Sequence, residues 1–235
     1  MPIDERELAP IAALLRMTMP PQGAEAAAER LIAQYGRAAA VFEADPEELT
    51  SPGGLTMRQA QLLCAIPPLA GRCLRERLGP TPILNTLPAA SAFVGTLFIG
   101  ARYEQFYLIC LDGAGRLLTL KLVQQGTVGE TPFYPRLVVE LALRARAHAV
   151  IFAHNHPGGT PHFSPGDLDC TRRAARLMSM INVTPLDHLL SAGNEVVSLR
   201  RRQFIPEAEW LASSPDRPLC EKWLPRAGEK TPERA

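Results

Sequence analysis

The 235-residue chain lacks any C-x-x-C pair, and its five cysteines, at 64, 73, 110, 170 and 220, are odd in number. That usage argues against a disulfide framework and against a thiolate metal site, and it points to a reducing compartment. No stretch approaches eighteen uninterrupted apolar residues, so a membrane-spanning helix is not expected. The first ten residues, MPIDERELAP, are charged and lack the apolar centre of a signal peptide. A cytoplasmic protein is therefore expected. An excess of charge of one sign is missing too: the formal net charge is +1. Overall electrostatics thus give no reason to expect nucleic acid or a membrane surface as partner, and only a local basic patch remains open. There is no internal repeat and no low-complexity tract, which removes solenoids and arrays.

What is present is ordinary for a globular protein, with 46% hydrophobic and 21% charged residues. The length allows one large domain or two small ones. Proline is the exception: 22 of them, roughly twice the usual share, predict frequent turns and helix boundaries.

Along the chain the pattern changes once. "ELAPIAALLRM" and "GAEAAAERLIAQYG" have apolar residues at helical spacing, with Gly36 as a stop. "DPEELTSPGGLTMRQAQLLCAI" reads as helix, Pro-Gly-Gly turn and helix, with Asp45 and Pro46 as cap and first helical position, and "PPLAGRCLRERLGP" as a further short helix. "PTPILNTLPAA", around residues 80–90, is the expected linker. Beyond it, "EQFYLICLD" and "GRLLTLKLVQQG" read as a hairpin. "YPRLVVELALRARAH" is a helix, "AVIFAH" a short buried strand, "SPGDLDCTRRAARLMSMI" a helix, and "TPLDHLLSA" and "EVVSLRR" strands. The organisation expected is a helical region over 1–82, a mixed α/β domain over 83–208 and a loose tail over 209–235.

Three of the five histidines fall in "AHNHPGGTPHFSPGDLD", residues 153–169. In an extended chain, residues i and i+2 share a side, so His154 and His156 can face one ion while Asn155 points the other way. Gly158 and Gly159 let the chain turn back, and Asp167 follows. Two imidazoles and a carboxylate suit zinc with an open fourth position, the arrangement of a catalytic site. Ser164-Pro165-Gly166-Asp167 is equally a helix-capping box, in which Asp167 satisfies only backbone N–H groups.

H-N-H-P followed by S-P-G-D resembles the motif of the JAB/MPN (JAMM) metalloproteins. The surrounding "YPRLVVELAL", "AVIFAHNHPGG" and "LDHLLSAG" resemble the RadC branch over about residues 85–205. The resemblance implies an α+β fold: a mixed-sheet, cytidine-deaminase-like metallo-domain preceded by a small helix-hairpin-helix-like domain. It implies zinc on His154, His156 and Asp167, with Ser164 supporting the water or the tetrahedral intermediate. It also implies a glutamate base near the start of an upstream strand. Glu104 opens "EQFYLICLD" and is the choice; Glu130 lies in a loop, and Glu140 has Arg144 at i+4 as an ion-pair partner. Asp187 and His188 match a RadC-like pair with an expected supporting role, His162 is expected to face solvent or the substrate edge rather than to ligate, and Asn155 either contacts substrate or orients the loop. The implied activity is hydrolysis of peptide or isopeptide bonds in a protein substrate. A DNA-associated role in repair or recombination and a non-catalytic metal-binding scaffold are the alternatives. Against the DNA role, Pro52-Gly53-Gly54-Leu55 departs from the usual hairpin, and only Arg58 adds nearby charge.

Overall fold

Alanine and leucine at three- and four-residue spacing dictate the first part of the structure. The computed structural model describes residues 4–126, 135–157, 159–203, 205 and 223. Glu130, Gly158 and the tail apart from Trp223 lie outside the described residues. The chain divides into two compact units, Met1–Leu74 with Ile99–Arg102, and Arg75–Phe98 with Tyr103–Ala235.

The first unit is helical: α1 Glu5–Leu15, α2 Pro21–Tyr35, α3 Ala38–Glu43, α4 Pro46–Gly53 and most of α5 Met57–Arg77. Their inward stripes, including Ile11, Leu15, Ala28, Leu31, Leu49 and Leu63, close a single core. Gly36 ends α2 at φ 78°, as its position in the sequence predicts. Asp45 does not cap α4 with its side chain; its carboxylate pairs with Arg102 at 2.7 Å, and Pro46 alone starts the helix. The prolines at 67 and 68 do not start a separate helix, since α5 runs through them. Gly100 lies against that point, where a Cβ would fall 2.6 Å from Pro68 Cδ. The Pro-Gly-Gly turn is held by Arg30, which donates to the carbonyls of Pro52 at 3.0 Å and Gly53 at 2.7 Å.

The second unit is built on a five-stranded sheet in the order β2-β1-β3-β4-β5. The strands are β1 Glu104–Leu111, β2 Leu117–Gly126, β3 Ala149–Asn155, β4 Thr184–Ala192 and β5 Glu195–Ser198. Only β3 and β4 are parallel. Their connection carries α8 Pro165–Met180, the crossover that a parallel pair requires. Every residue of β3 and β4 is buried, the polar His154, Asn155, Asp187 and His188 included. Helix α7, Pro135–Arg144, packs with α8 on one face of the sheet through Val138, Ala142, Ala174 and Met178.

The stretch read as a linker is paired rather than free. Leu84 N donates to Gly115 O at 2.7 Å and Leu117 N to Pro82 O at 2.9 Å. It then enters α6, Leu87–Leu97, a helix the sequence reading did not assign, capped by the Thr86 side chain. No helix among the described residues is long and apolar enough to cross a membrane.

Candidate metal centre

The end of β3 and the start of α8 bring the histidines and Asp167 together. The Nε2 atoms of His154 and His156 are 3.1 Å apart. Asp167 Oδ1 lies 3.5 Å from His154 Nε2, and Oδ2 lies 3.6 Å from His156 Nε2. Around a tetrahedral zinc with bonds of about 2.0–2.1 Å, ligand atoms sit roughly 3.3–3.4 Å from one another. The three side chains therefore fit such an ion, and among the described residues they are the one His/Cys/Asp/Glu group that does.

The capping box and the third candidate ligand coincide. Ser164 N and Oγ both donate to Asp167 Oδ2 at 2.7 Å, and Asp167 N donates to Ser164 Oγ at 3.1 Å. The cap thus fixes the carboxylate at the helix start, with Oδ1 left to face His154. Burial on its own raises the Asp167 carboxyl, but the facing His154 and His156 rings and the hydrogen bond from Ser164 outweigh it and hold the group well below the usual carboxylate range.

Each histidine is oriented by its second nitrogen. His156 Nδ1 lies 3.0 Å from the carbonyl of Thr160, which can only accept, so Nδ1 carries the proton and Nε2 presents its lone pair. The hydrogen bond with Asp167 raises the His156 pKa, against burial, which lowers it. His154 Nδ1 lies 2.8 Å from Nε2 of His188. Burial pushes His188 well below its ordinary pKa, so this ring is neutral.

Glu104 reaches the same place through strand register. β1 pairs antiparallel with β3, with Phe106 opposite His154. Two residues earlier, Glu104 falls on the same face of the pleat, level with His156. It lines a cavity of about 450 Å³ together with His154, His156, His162, Ser164 and Asp167. Asn155 faces away, as alternation requires, and clamps the start of β1. Its Oδ1 accepts from Gln105 N at 2.8 Å, and its Nδ2 donates to Tyr103 O at 3.2 Å, the peptide groups on either side of Glu104. Glu140 pairs with Arg144 on α7 at 2.7 Å, as its spacing implies. His162 lines the cavity outside the ligand group. Cys170 lines it too, but burial, with Asp167 and Asp169 nearby, raises its thiol to about 12, so it stays protonated at neutral pH. Sequence reasoning missed Thr171, one helical turn beyond Asp167, which contacts His188.

Fold and site together define a mixed α/β protein with a His-His-Asp group lining a cavity. The chain belongs to the family described as RadC-like JAB domain, whose pattern matches residues 85–204. It is similar to a UPF0758 protein of Bordetella petrii, at 35% identity over 170 residues, covering 72% of this chain and 76% of that one. It is also similar to UPF0758 proteins of Herminiimonas arsenicoxydans, 33% identical over 80% of this chain and 84% of the relative, and of Methylibium petroleiphilum, 32% identical over 83% and 88%.

Proposed function

We propose that the protein is a cytoplasmic zinc-dependent hydrolase of peptide or isopeptide bonds. In this reading His154, His156 and Asp167 hold the metal, Glu104 is the general base, and Ser164 supports the site. The observation that carries it is the convergence of the three ligand atoms beside Glu104 on one cavity wall. Bound zinc supplies Lewis acidity, which makes water a nucleophile near neutral pH and polarises a carbonyl. Glu104 takes the proton lost by the attacking water on its carboxylate and delivers it to the departing nitrogen. Amide and water thus become carboxylic acid and amine, and the glutamate returns to its starting state. Ser164 keeps Asp167 fixed through its two hydrogen bonds and lines the same cavity.

Glu104→Gln separates base from ligand. The variant should keep the zinc content of the wild type, about one ion per chain, and lose about 10²-fold or more in turnover against a peptide and isopeptide panel. Undiminished turnover would remove Glu104 from the mechanism, and a folded wild type with no affinity for zinc would end the reading.

Protons compete with metal at His156. Its raised pKa means that an increasing share is imidazolium as pH falls through that value, and an imidazolium cannot ligate. Zinc affinity should therefore be flat on the alkaline side and fall by up to about tenfold per pH unit below it. Chelator competition across about pH 5–8 tests this; a constant affinity over that range would contradict it.

A further inference from the structure

Behind the ligands lies a chain of side chains sealed from water. His154 is 5% exposed, and Thr171 and His188 are each 1% exposed. Thr171 Oγ1 lies 2.6 Å from the carbonyl oxygen of Asp167 and 2.5 Å from His188 Nδ1. His188 Nε2 lies 2.8 Å from His154 Nδ1. The rings of Phe106, Phe152 and Phe163 pack around His188, with centroids at 5.6, 6.0 and 5.3 Å, and hold its plane.

The direction of every bond follows from one proton. A backbone carbonyl has no hydrogen to give, so the Thr171 hydroxyl donates to Asp167 O. Its oxygen then accepts from His188, which must carry its proton on Nδ1. A neutral His188 with Nδ1–H has a bare Nε2, which accepts from His154 Nδ1–H. His154 is left with its lone pair on Nε2, the atom that faces Asp167 and His156. If Thr171 instead donated to His188, the chain would reverse: His188 and His154 would each carry Nε2–H, and His154 would offer no lone pair to a metal.

We propose that Thr171 and His188 are positioning residues that lock His154 in its metal-binding tautomer, with the hydroxyl of Thr171 selecting the direction of the chain. The inference rests on the reading of His154 and Asp167 as ligands. It joins them by a second route, since Asp167 provides both a ligand oxygen and, through its carbonyl, the acceptor that sets the tautomer of His154.

Zinc binding by Thr171→Val, Thr171→Ser and Asp167→Ala, measured against a chromophoric chelator, tests the proposal. It is paired with long-range ¹H–¹⁵N correlation of the histidine rings in metal-free wild type. Thr171→Val keeps the shape and removes the hydroxyl, and should weaken zinc binding by about tenfold or more. Thr171→Ser restores the hydroxyl and should bind within about threefold of the wild type, outside the range that loss of a supporting partner produces. The spectra should show His188 and His154 as Nδ1–H tautomers. Wild-type affinity in Thr171→Val, or a proton on Nε2 of His188, would overturn the proposal. The spectrum decides alone if the valine variant does not fold. Zinc binding lost in Asp167→Ala but intact in Thr171→Val sinks the tautomer lock and leaves the ligand reading standing. Zinc binding intact in Asp167→Ala sinks the ligand reading itself.

Discussion

Asp167→Ala should lose zinc affinity by at least about a hundredfold, and Asp167→Asn by nearly as much, while the two differ in stability. In the proposed reading the metal has three protein ligands, and removing the only anionic one leaves two neutral imidazoles for a divalent ion. Asp167 also caps α8, accepting from Ser164 N and Oγ. Alanine removes that acceptor and should cost about 1 kcal/mol in the metal-free protein. Asparagine retains a carbonyl oxygen for the cap but lacks the charge that makes a strong ligand. Zinc affinity and thermal unfolding of the metal-free proteins, measured together, separate the two functions of one side chain. If alanine and asparagine kept wild-type zinc affinity, Asp167 would be a cap and nothing more. The acid limb of stability provides a further check. Because the folded-state pKa of Asp167 is depressed, its contribution is present above the unfolded value and is lost as pH falls towards the folded one. The alanine variant should lack that component.

The candidate ligand group was legible because each member depends on a local rule. His154 and His156 share a face through the two-residue period of a strand, and Ser164 and Asp167 mark a helix start at a fixed spacing. Helix against strand was legible too, since α7 and α8 carry a helical period while β1 and β3 are short aromatic or β-branched runs. Residues whose meaning depends on a distant partner were less so. Asn155 acts on the backbone around Glu104, fifty residues away from the Gln105 amide it accepts from, and no spacing rule links them. Thr171 and His188 are seventeen residues apart and meet only because α8 packs on β4. Asp45 followed the local rule for a cap, but an arginine from another segment took its carboxylate. Helix α6 escaped because its apolar run follows a Pro-Thr stretch whose composition signals a linker, whereas the pairing that orders that stretch comes from Gly115 and Leu117, at the turn between β1 and β2.

Trp223 lies in the tail expected to be loose, yet it is 3% exposed and its Nε1 donates to Asp187 Oδ2 at 3.0 Å. Ser198 Oγ donates to the same oxygen, while the backbone amides of His188, at 2.7 Å, and Arg200, at 3.0 Å, converge on Oδ1. The carboxyl is fully buried; burial pushes its pKa up, and the donors pull against it. Asp187→Ala would strand four buried donors at once and should cost on the order of 3–5 kcal/mol, measured by denaturant unfolding. Asp187→Asn should be scarcely better, because its amide would set a donor against donors. Trp223→Phe keeps most of the buried ring, removes a single bond to a charged group, and should cost about 1.5–3 kcal/mol. The two sites should also differ at the metal. In Trp223→Phe the Oδ1 atom still holds the His188 amide, so zinc affinity should survive. In Asp187→Ala the strand supporting His188 loses that anchor, and affinity should fall with stability. An Asp187→Ala variant within about 1 kcal/mol of the wild type would show that the four donors find other acceptors, and would separate the C-terminal anchor from the residues behind the metal site.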